Sequence, residues 1–262
     1  MITSVQNPHI KRILKLEKAR ERREQGLFAI EGSREISSAL AGGYRVEELL
    51  VCEELLNDES RALIRRTPSV RTESVSGSVF GKLARREQSD GLFAVAVARP
   101  LRLQDVFLTE NPFVIVLETV EKPGNLGAIL RTADAARADA VIVCDPQTDL
   151  YNPNIIRSSI GCVFTRQVAA CTSGEALRWL GDANIRIHAA ELTAAQWYHQ
   201  TDFTVPSAVV MGAEAGGLTD FWLRAAHRRI KIPMRGVADS LNVSVSTAII
   251  TFEAMRQRNF PP

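Results

Sequence analysis

Three polar constellations in this chain carry residue types that can do chemistry, and each follows an apolar run. The first is Asn125-Leu126-Gly127-Ala128-Ile129-Leu130-Arg131. An amide and a guanidinium six residues apart turn through roughly 600° on a helix, so they do not share a face. The spacing predicts Asn125 in a loop or cap and Arg131 on the second turn, as either a plain surface arginine or an anion-binding group. The second is Gly212-Ala213-Glu214-Ala215-Gly216-Gly217. Locally, Glu214 reads as a carboxylate near the start of the next helix. The glycines permit close approach of backbone to a ligand or to another segment. The third runs from Ile230-Lys231-Ile232-Pro233-Met234 to Ser240-Leu241-Asn242-Val243-Ser244-Val245-Ser246. It starts as a short strand, breaks at Pro233 and enters a helix with Ser240 as the expected N-cap. The first turn of that helix is crowded with small polar side chains, which favour caps over helix interiors. Such a start is either a well-capped helix or a place where backbone N–H groups hold a ligand.

The elements that must position these groups alternate between strand and helix. Asn7-Pro8 opens a helix whose apolar stripe is Ile10, Ile13 and Leu14, with Asn7 as cap. Its basic flank (Lys11, Arg12, Lys15, Arg20, Arg22, Arg23) reads as a solvated face or a phosphate contact. Strands are expected at 27–30, 46–51, 70–75 and 92–98, with helices at 33–40, 53–65 and 79–85, which makes a small α/β domain over 1–98. Residues 99–105 break the alternation as a linker. A second α/β domain is expected over 106–262. Its strands are 113–117, 140–144, 164–168, 185–190 and 208–211. Five consecutive apolar residues at 113–117 indicate a central parallel strand covered on both faces. Helices follow Asn125, Asn152-Pro153, Ser173 and Gly217, and Trp197-Tyr198 sits in a less regular stretch. In the last helix, Val245, Ile249, Phe252 and Met255 recur at three- and four-residue spacing and predict its buried face. Ligands of open parallel sheets sit beyond the carboxyl ends of the strands. If the three constellations point the same way, they form one site.

Composition excludes more than it proves. The formal charge is +2, with 18 Lys+Arg against 15 Asp+Glu up to residue 105 and 14 against 15 beyond it. A polyanionic partner is permitted but not demanded. Cys52, Cys144, Cys162 and Cys171 make no Cys-x-x-Cys pair, so no zinc spacing is present. Cys144 lies in an apolar run and reads as an inert buried thiol, which suits a reduced cytoplasmic setting. No apolar run reaches membrane-spanning length and no signal core is present. Neither a Gly-x-Gly-x-x-Gly after the first strand nor a Gly-x-x-x-x-Gly-Lys-Ser/Thr loop occurs, which argues against a dinucleotide enzyme and a P-loop NTPase.

The three stretches, Asn125 to Ala133, Met211 to Gly217, and Ile232 to Met234 with Ser240 to Ser246, together resemble the signature motifs of the SpoU/TrmH family. These are 2′-O-ribose RNA methyltransferases of the SPOUT superfamily. The likeness covers about 106–262, with the motifs in order. The N-terminal region is similar to the L30e-like substrate-binding domain of many members, through Ile2-Thr3-Ser4-Val5-Gln6-Asn7-Pro8 and the run to Glu31-Gly32. The resemblance implies an α/β fold whose C-terminal SPOUT domain has a parallel sheet and a deep trefoil knot, an exception among folds. It also implies a homodimer, S-adenosylmethionine as cofactor and a reaction that needs no metal, in agreement with the missing ligand clusters. Carried over by position, the cofactor lies against Gly212, Ile232, Met234, Leu241 and, more weakly, Leu192. Arg131 is the implied activator of the ribose hydroxyl. Asn125, Glu214, Ser240 and Asn242 match the other catalytic positions, with Ser240 and Asn242 bracing Arg131 or the ribose. Arg157, in Asn152-Pro153-Asn154-Ile155-Ile156-Arg157-Ser158-Ser159, is assigned to RNA phosphate or to bracing a loop or dimer.

A guanidinium with a pKa above about 12 is an awkward base. Arg131 either binds the adjacent phosphate and lowers the hydroxyl pKa, or loses its proton transiently. Ribosomal RNA is the preferred substrate, with transfer RNA or an antibiotic's ribosomal site as alternatives. Competing readings are a nucleotide-dependent α/β enzyme, against which the missing glycine fingerprint counts, and a non-catalytic RNA-binding protein, against which the intact polar positions count.

Overall fold

The computed structural model describes residues 1–86, 88–214 and 216–260. The chain divides into two compact units, Met1–Pro100 with Asp149–Thr165, and Leu101–Thr148 with Arg166–Pro262. The segment 149–165, which the sequence groups with 106–262, therefore clusters with the N-terminal residues.

In the first unit, α1 (Pro8–Lys15) starts beneath Asn7, whose side-chain oxygen accepts from His9 N at 2.8 Å. The helix ends at Leu16, and a second one, α2 (Ala19–Gln25), carries the rest of the basic residues. Arg22 is buried, not solvated. Its Nε meets Asp149 Oδ2 at 2.5 Å and its Nη1 donates to the carbonyls of Leu16 and Glu17. A buried guanidinium persists only when its donors are satisfied, so Arg22 braces the bend between the helices. There follow β1 (Leu27–Glu31), α3 (Ser33–Ala41), β2 (Val46–Val51), α4 (Asp58–Arg66), β3 (Arg71–Ser74), α5 (Gly77–Leu83) and β4 (Leu92–Val97). The helix expected from residue 53 begins instead at Asp58, where Asn57 caps it by accepting from Ser60 N. The sheet order is β1-β4-β2-β3, with β4 antiparallel to both neighbours and β2 parallel to β3.

The chain continues through β5 (Phe113–Glu118), α6 (Pro123–Ala135) and β6 (Ala140–Cys144) to α7 (Pro153–Ser158) and α8 (Cys162–Thr165). Within the first unit α7 packs on β1 and α8 on α3. The expected strand 164–168 is not found. Thr165 ends α8, and the strand begins at Val168 as β7 (Val168–Cys171). A short apolar run such as Cys162-Val163-Phe164 is equally compatible with either element. Then come α9 (Ser173–Asp182), β8 (Arg186–Ala190), β9 (Gln196–Trp197), β10 (Ser207–Met211), α10 (Asp220–Ala225), β11 (Arg228–Lys231) and α11 (Val243–Gln257).

The second unit is built on one seven-stranded sheet, ordered β7-β6-β5-β10-β8-β11-β9, in which every pairing is parallel. Its central strands β5, β6 and β10 are buried throughout, as both-face coverage requires. Helix α11 packs on α6 and on β10. Asn242, not Ser240, is its N-cap. Its buried residues are Val243, Thr247, Ile250, Thr251, Ala254 and Met255. Of the expected stripe only Met255 is buried, whereas Val245 and Phe252 are 47% and 40% exposed. Thr247 takes a core position because its hydroxyl donates to the Val243 carbonyl one turn back.

Candidate active site

Parallel pairing puts the carboxyl ends of neighbouring strands on one edge of the sheet. β10 pairs with β5 on one side and β8 on the other, and β8 pairs with β11. The turns that follow β5, β8, β10 and β11 thus leave from the same edge.

Three of these turns meet at Glu214. Its Oε1 accepts from Asn125 Nδ2 at 2.6 Å and from Asn242 Nδ2 at 2.7 Å. Asn242 Nδ2 also lies 3.1 Å from Asn125 Oδ1. Lys122 Nζ donates to Oε2 of the same carboxylate. The Lys122 ammonium, and next the Asn125 amide, hold the Glu214 carboxyl below its usual range, so it stays ionised. Asn125 lies in the first turn of α6, which Pro123 opens and Lys122 precedes as N-cap. Asn242 does two jobs with one amide. Its oxygen caps α11, accepting from Ser244 N at 2.9 Å and Ser244 Oγ at 2.6 Å, while its nitrogen reaches Glu214.

Glu214 does not cap the following helix. That role falls to Glu118 at the end of β5, whose buried carboxylate accepts from Thr219 N at 2.8 Å and Thr219 Oγ1 at 2.7 Å, just ahead of α10. Gly212 is required by its own turn: a Cβ there would collide with the carbonyl of Gly217 and the nitrogen of Leu218. The close approach that the glycines allow is to another segment of the turn, where Ala213 bridges Gly217. Ala215 in this turn lies outside the described residues.

The other expected residues stand apart from this hub. Arg131 is exposed on α6, and its side chain makes no hydrogen bond or ion pair among the described residues. Ser240 Oγ donates to Asp239 Oδ1 at 2.9 Å rather than to the cluster. Hence Asn242 braces Glu214 and Asn125, and neither it nor Ser240 braces Arg131. Leu192, just beyond β8, is 60% exposed and Leu241 is 39% exposed, while Ile232 and Met234 are half-buried beyond β11. Arg157 is exposed on α7, in the first unit.

Sequence reasoning missed Lys122 and Glu118. Lys122 precedes Pro123-Gly124, a recognisable helix start, but nothing local pairs it with a carboxylate 92 positions on. Cys144 is buried as expected. It faces its register partner Cys171, and the hydrogen bond between the two thiols, with burial, pushes the Cys144 thiol far up. Among the described residues no group of three or more His, Cys, Asp or Glu could hold a metal, and no helix is long and apolar enough to cross a membrane.

Comparison with known proteins places this arrangement. Residues 112–252 match the SpoU rRNA Methylase family, and residues 7–94 match the MRM3-like substrate binding domain. A 23S rRNA (uridine(2479)-2′-O)-methyltransferase from Streptomyces viridochromogenes is 30% identical over 91% of this chain and 85% of its own length. A crystal structure described as an RNA 2′-O ribose methyltransferase is 40% identical, with a TM-score of 0.89 over 98% of this chain and 99% of that one. The AdoMet-bound rRNA methyltransferase from Sinorhizobium meliloti is 30% identical, with a TM-score of 0.89 over 97% of both chains.

Proposed function

This chain belongs to the SpoU rRNA Methylase family, and from that premise we propose that it is an S-adenosylmethionine-dependent methyltransferase that acts on a ribose 2′-hydroxyl of ribosomal RNA. The observation that carries the reading is the ionised Glu214, which ties the turn after β5, the turn after β10 and the start of α11 into one polar cluster.

S-adenosylmethionine supplies a methyl group on a positively charged sulfur. The sheet edge fits such a molecule. Leu192, Ile232, Met234 and Leu241 expose apolar surface beyond adjacent strands, as cover for a flat ring. The turn holding Gly212 contributes backbone rather than side chains.

On the acceptor side, Arg131 has its guanidinium free for RNA. No carboxylate or imidazole among the described residues touches it, so it acts as a fixed positive charge. Bound in a bidentate manner to the phosphate beside the target ribose, it favours the alkoxide and lowers the pKa of the hydroxyl. The hydroxyl proton passes to solvent water, and each unit by which the hydroxyl pKa falls favours the alkoxide by about 1.4 kcal/mol. Asn125 shares α6 with Arg131, and Asn242 begins α11. With both amides fixed on Glu214, these segments keep their spacing, and alignment supplies a further several kcal/mol or so.

The finer features follow from the same reading. The C-terminal segment forms a deep trefoil knot, a reading supported by β11 lying between β8 and β9 and by the return of α11 to α6. The first unit is an L30e-like domain that selects the RNA, a reading supported by the match over 7–94. Along the sequence, 1–98, 99–105 and 106–262 serve as substrate domain, linker and catalytic domain, except that 149–165 packs with the first unit. The protein is a cytoplasmic homodimer, and the exposed Val245 and Phe252 on α11 favour a subunit contact. Arg157 contacts RNA phosphate. Ribosomal RNA is preferred to transfer RNA because a relative that matches over 91% of the chain is a 23S rRNA methyltransferase.

The test is methyl transfer from labelled S-adenosylmethionine to purified 23S rRNA, 16S rRNA and transfer RNA. Label confined to 23S rRNA is expected. Label confined to transfer RNA would move the substrate, and label in none of them would reject the reading.

A further inference from the structure

We propose that Cys144 and Cys171 form a modification site of the second unit, a thiol pair that a peroxide closes into a reversible disulfide. Cys144 ends β6, Cys171 ends β7, and the two are register partners. Register partners of a parallel pair point to the same face of the sheet. Neighbouring strands lie about 4.7–4.9 Å apart, which falls inside the roughly 4.4–6.8 Å between Cα atoms that a disulfide spans. Asp145 N donates to the Cys171 carbonyl at 2.8 Å, so the register holds to the ends of the strands. β7 is the outermost strand, paired among the described residues with β6 alone, so drawing it toward Cys144 breaks no pairing on its far side.

The two thiols differ in the way such chemistry needs. Cys144 is fully buried, whereas Cys171 is half-buried. The Cys144 thiol donates to the Cys171 sulfur and holds the Cys171 thiol below its ordinary value. Burial and the carboxylates of Glu175 and Asp145 oppose this, and the Ala176 N–H in the first turn of α9 supports it. The thiolate is the nucleophile, and access decides which cysteine meets an oxidant. Cys171 therefore reacts first. Its sulfur takes one oxygen of the peroxide, the O–O bond breaks, and the departing hydroxide is protonated by solvent. Cys171 is then a sulfenic acid beside the Cys144 sulfur. Cys144 attacks it, the S–S bond forms, the S–O bond breaks, and the oxygen leaves as water with the Cys144 proton. Two thiols lose two electrons, and one peroxide becomes two waters. The remaining cysteines, Cys52 and Cys162, are buried in the first unit and serve as internal controls.

The test uses the full chain, reduced with dithiothreitol, desalted and treated with a small excess of hydrogen peroxide. Intact mass, thiol titration in guanidinium and peptide mapping without reductant read the product. The expected product has lost the mass of two hydrogen atoms, keeps two of its four titratable thiols, links the peptides that hold Cys144 and Cys171, and regains its starting mass with dithiothreitol. Cys144→Ser keeps a donor on the Cys171 sulfur but removes the resolving thiol, so Cys171 should gain oxygen that dithiothreitol does not remove. Cys171→Ala should leave the buried Cys144 unmodified. Circular dichroism shows whether each variant is folded, and the wild-type map decides the matter where one is not. A wild-type chain that keeps all four thiols at a peroxide dose that consumes half of free cysteine overturns the pair. So does one that gains oxygen without a link, or that links Cys171 to any thiol other than Cys144, a second copy's included.

Discussion

Asn242 offers a substitution series in which folding and chemistry separate. Its side-chain oxygen caps α11, and its nitrogen donates to Glu214 at 2.7 Å and lies 3.1 Å from the Asn125 oxygen. Asn242→Ala removes both functions. Loss of an N-cap costs about 1 kcal/mol, which for a chain of this size lowers the unfolding temperature by roughly 2–4 °C. Asn242→Asp keeps the cap, because Asp and Asn cap about equally well and a negative charge suits a helix N-terminus. It also sets a second carboxylate against Glu214, where a donor now stands. The two repel, and the turn after β10 moves away from α11. A displacement of about 1 Å among positioning groups costs on the order of 10²-fold in rate. Thermal unfolding followed by circular dichroism, together with single-turnover methyl transfer to 23S rRNA, reads the two effects apart. The Ala variant is expected to lose both stability and rate, and the Asp variant to lose rate with a smaller loss of stability, since the cap is kept. An Asp variant as fast as wild type within twofold would refute the positioning role of the Glu214 hub.

Three further outcomes follow from the structure. His188 is buried in β8 with no partner for either ring nitrogen among the described residues, and burial, aided by His227, lowers its pKa from 6.5 to about 4. Its neutral form is native, so stability is complete above pH 6.5 and is lost as pH falls toward 4, by about 2 kcal/mol at pH 5. Urea unfolding of His188→Leu at pH 7.5 and pH 5 should show that part of the loss removed, and an unchanged pH dependence would count against it. Val245→Glu with Phe252→Glu places charge on the exposed stripe of α11 and should give a monomer in sedimentation velocity where wild type is a dimer. Gly212→Ala forces a Cβ into the Gly217 carbonyl and should weaken S-adenosylhomocysteine binding by at least tenfold in calorimetry, while a wild-type affinity would show the turn to be more yielding.

Strands β5, β6 and β10 of the second unit were legible because apolar runs such as Phe113–Leu117 have no polar face to confuse, whereas β7 lies at Val168–Cys171 rather than 164–168 and the two-residue β9 was not foreseen. The three loops of the site were legible for a related reason, since glycines and amides at strand ends interrupt that apolar background. What stayed hidden depends on tertiary contact. Thr247 and Thr251 fill core positions of α11, so a reading by hydropathy turned the helix to the wrong face. Arg22 carries a charge yet is buried, because Asp149 and two carbonyls from far and near satisfy it. The grouping of 149–165 with the first unit rests on packing of α7 and α8, to which no local pattern corresponds. Of the Glu214 partners, Asn125 and Asn242 were visible and Lys122 was not, because hydrogen bonds that span 28, 89 and 92 residues leave no periodic trace.

The central claim is that a guanidinium at position 131 activates a ribose hydroxyl beside a donor site organised by Glu214. Mass-spectrometric mapping of the methyl group after a single turnover tests it most directly, with wild type and Arg131→Ala compared at equal occupancy by S-adenosylmethionine. The account predicts methyl on the ribose 2′-oxygen with wild type, and a rate at least 10²-fold lower with Arg131→Ala at unchanged cofactor affinity. Methyl on a base, or an Arg131→Ala protein that turns over at the wild-type rate, would contradict it.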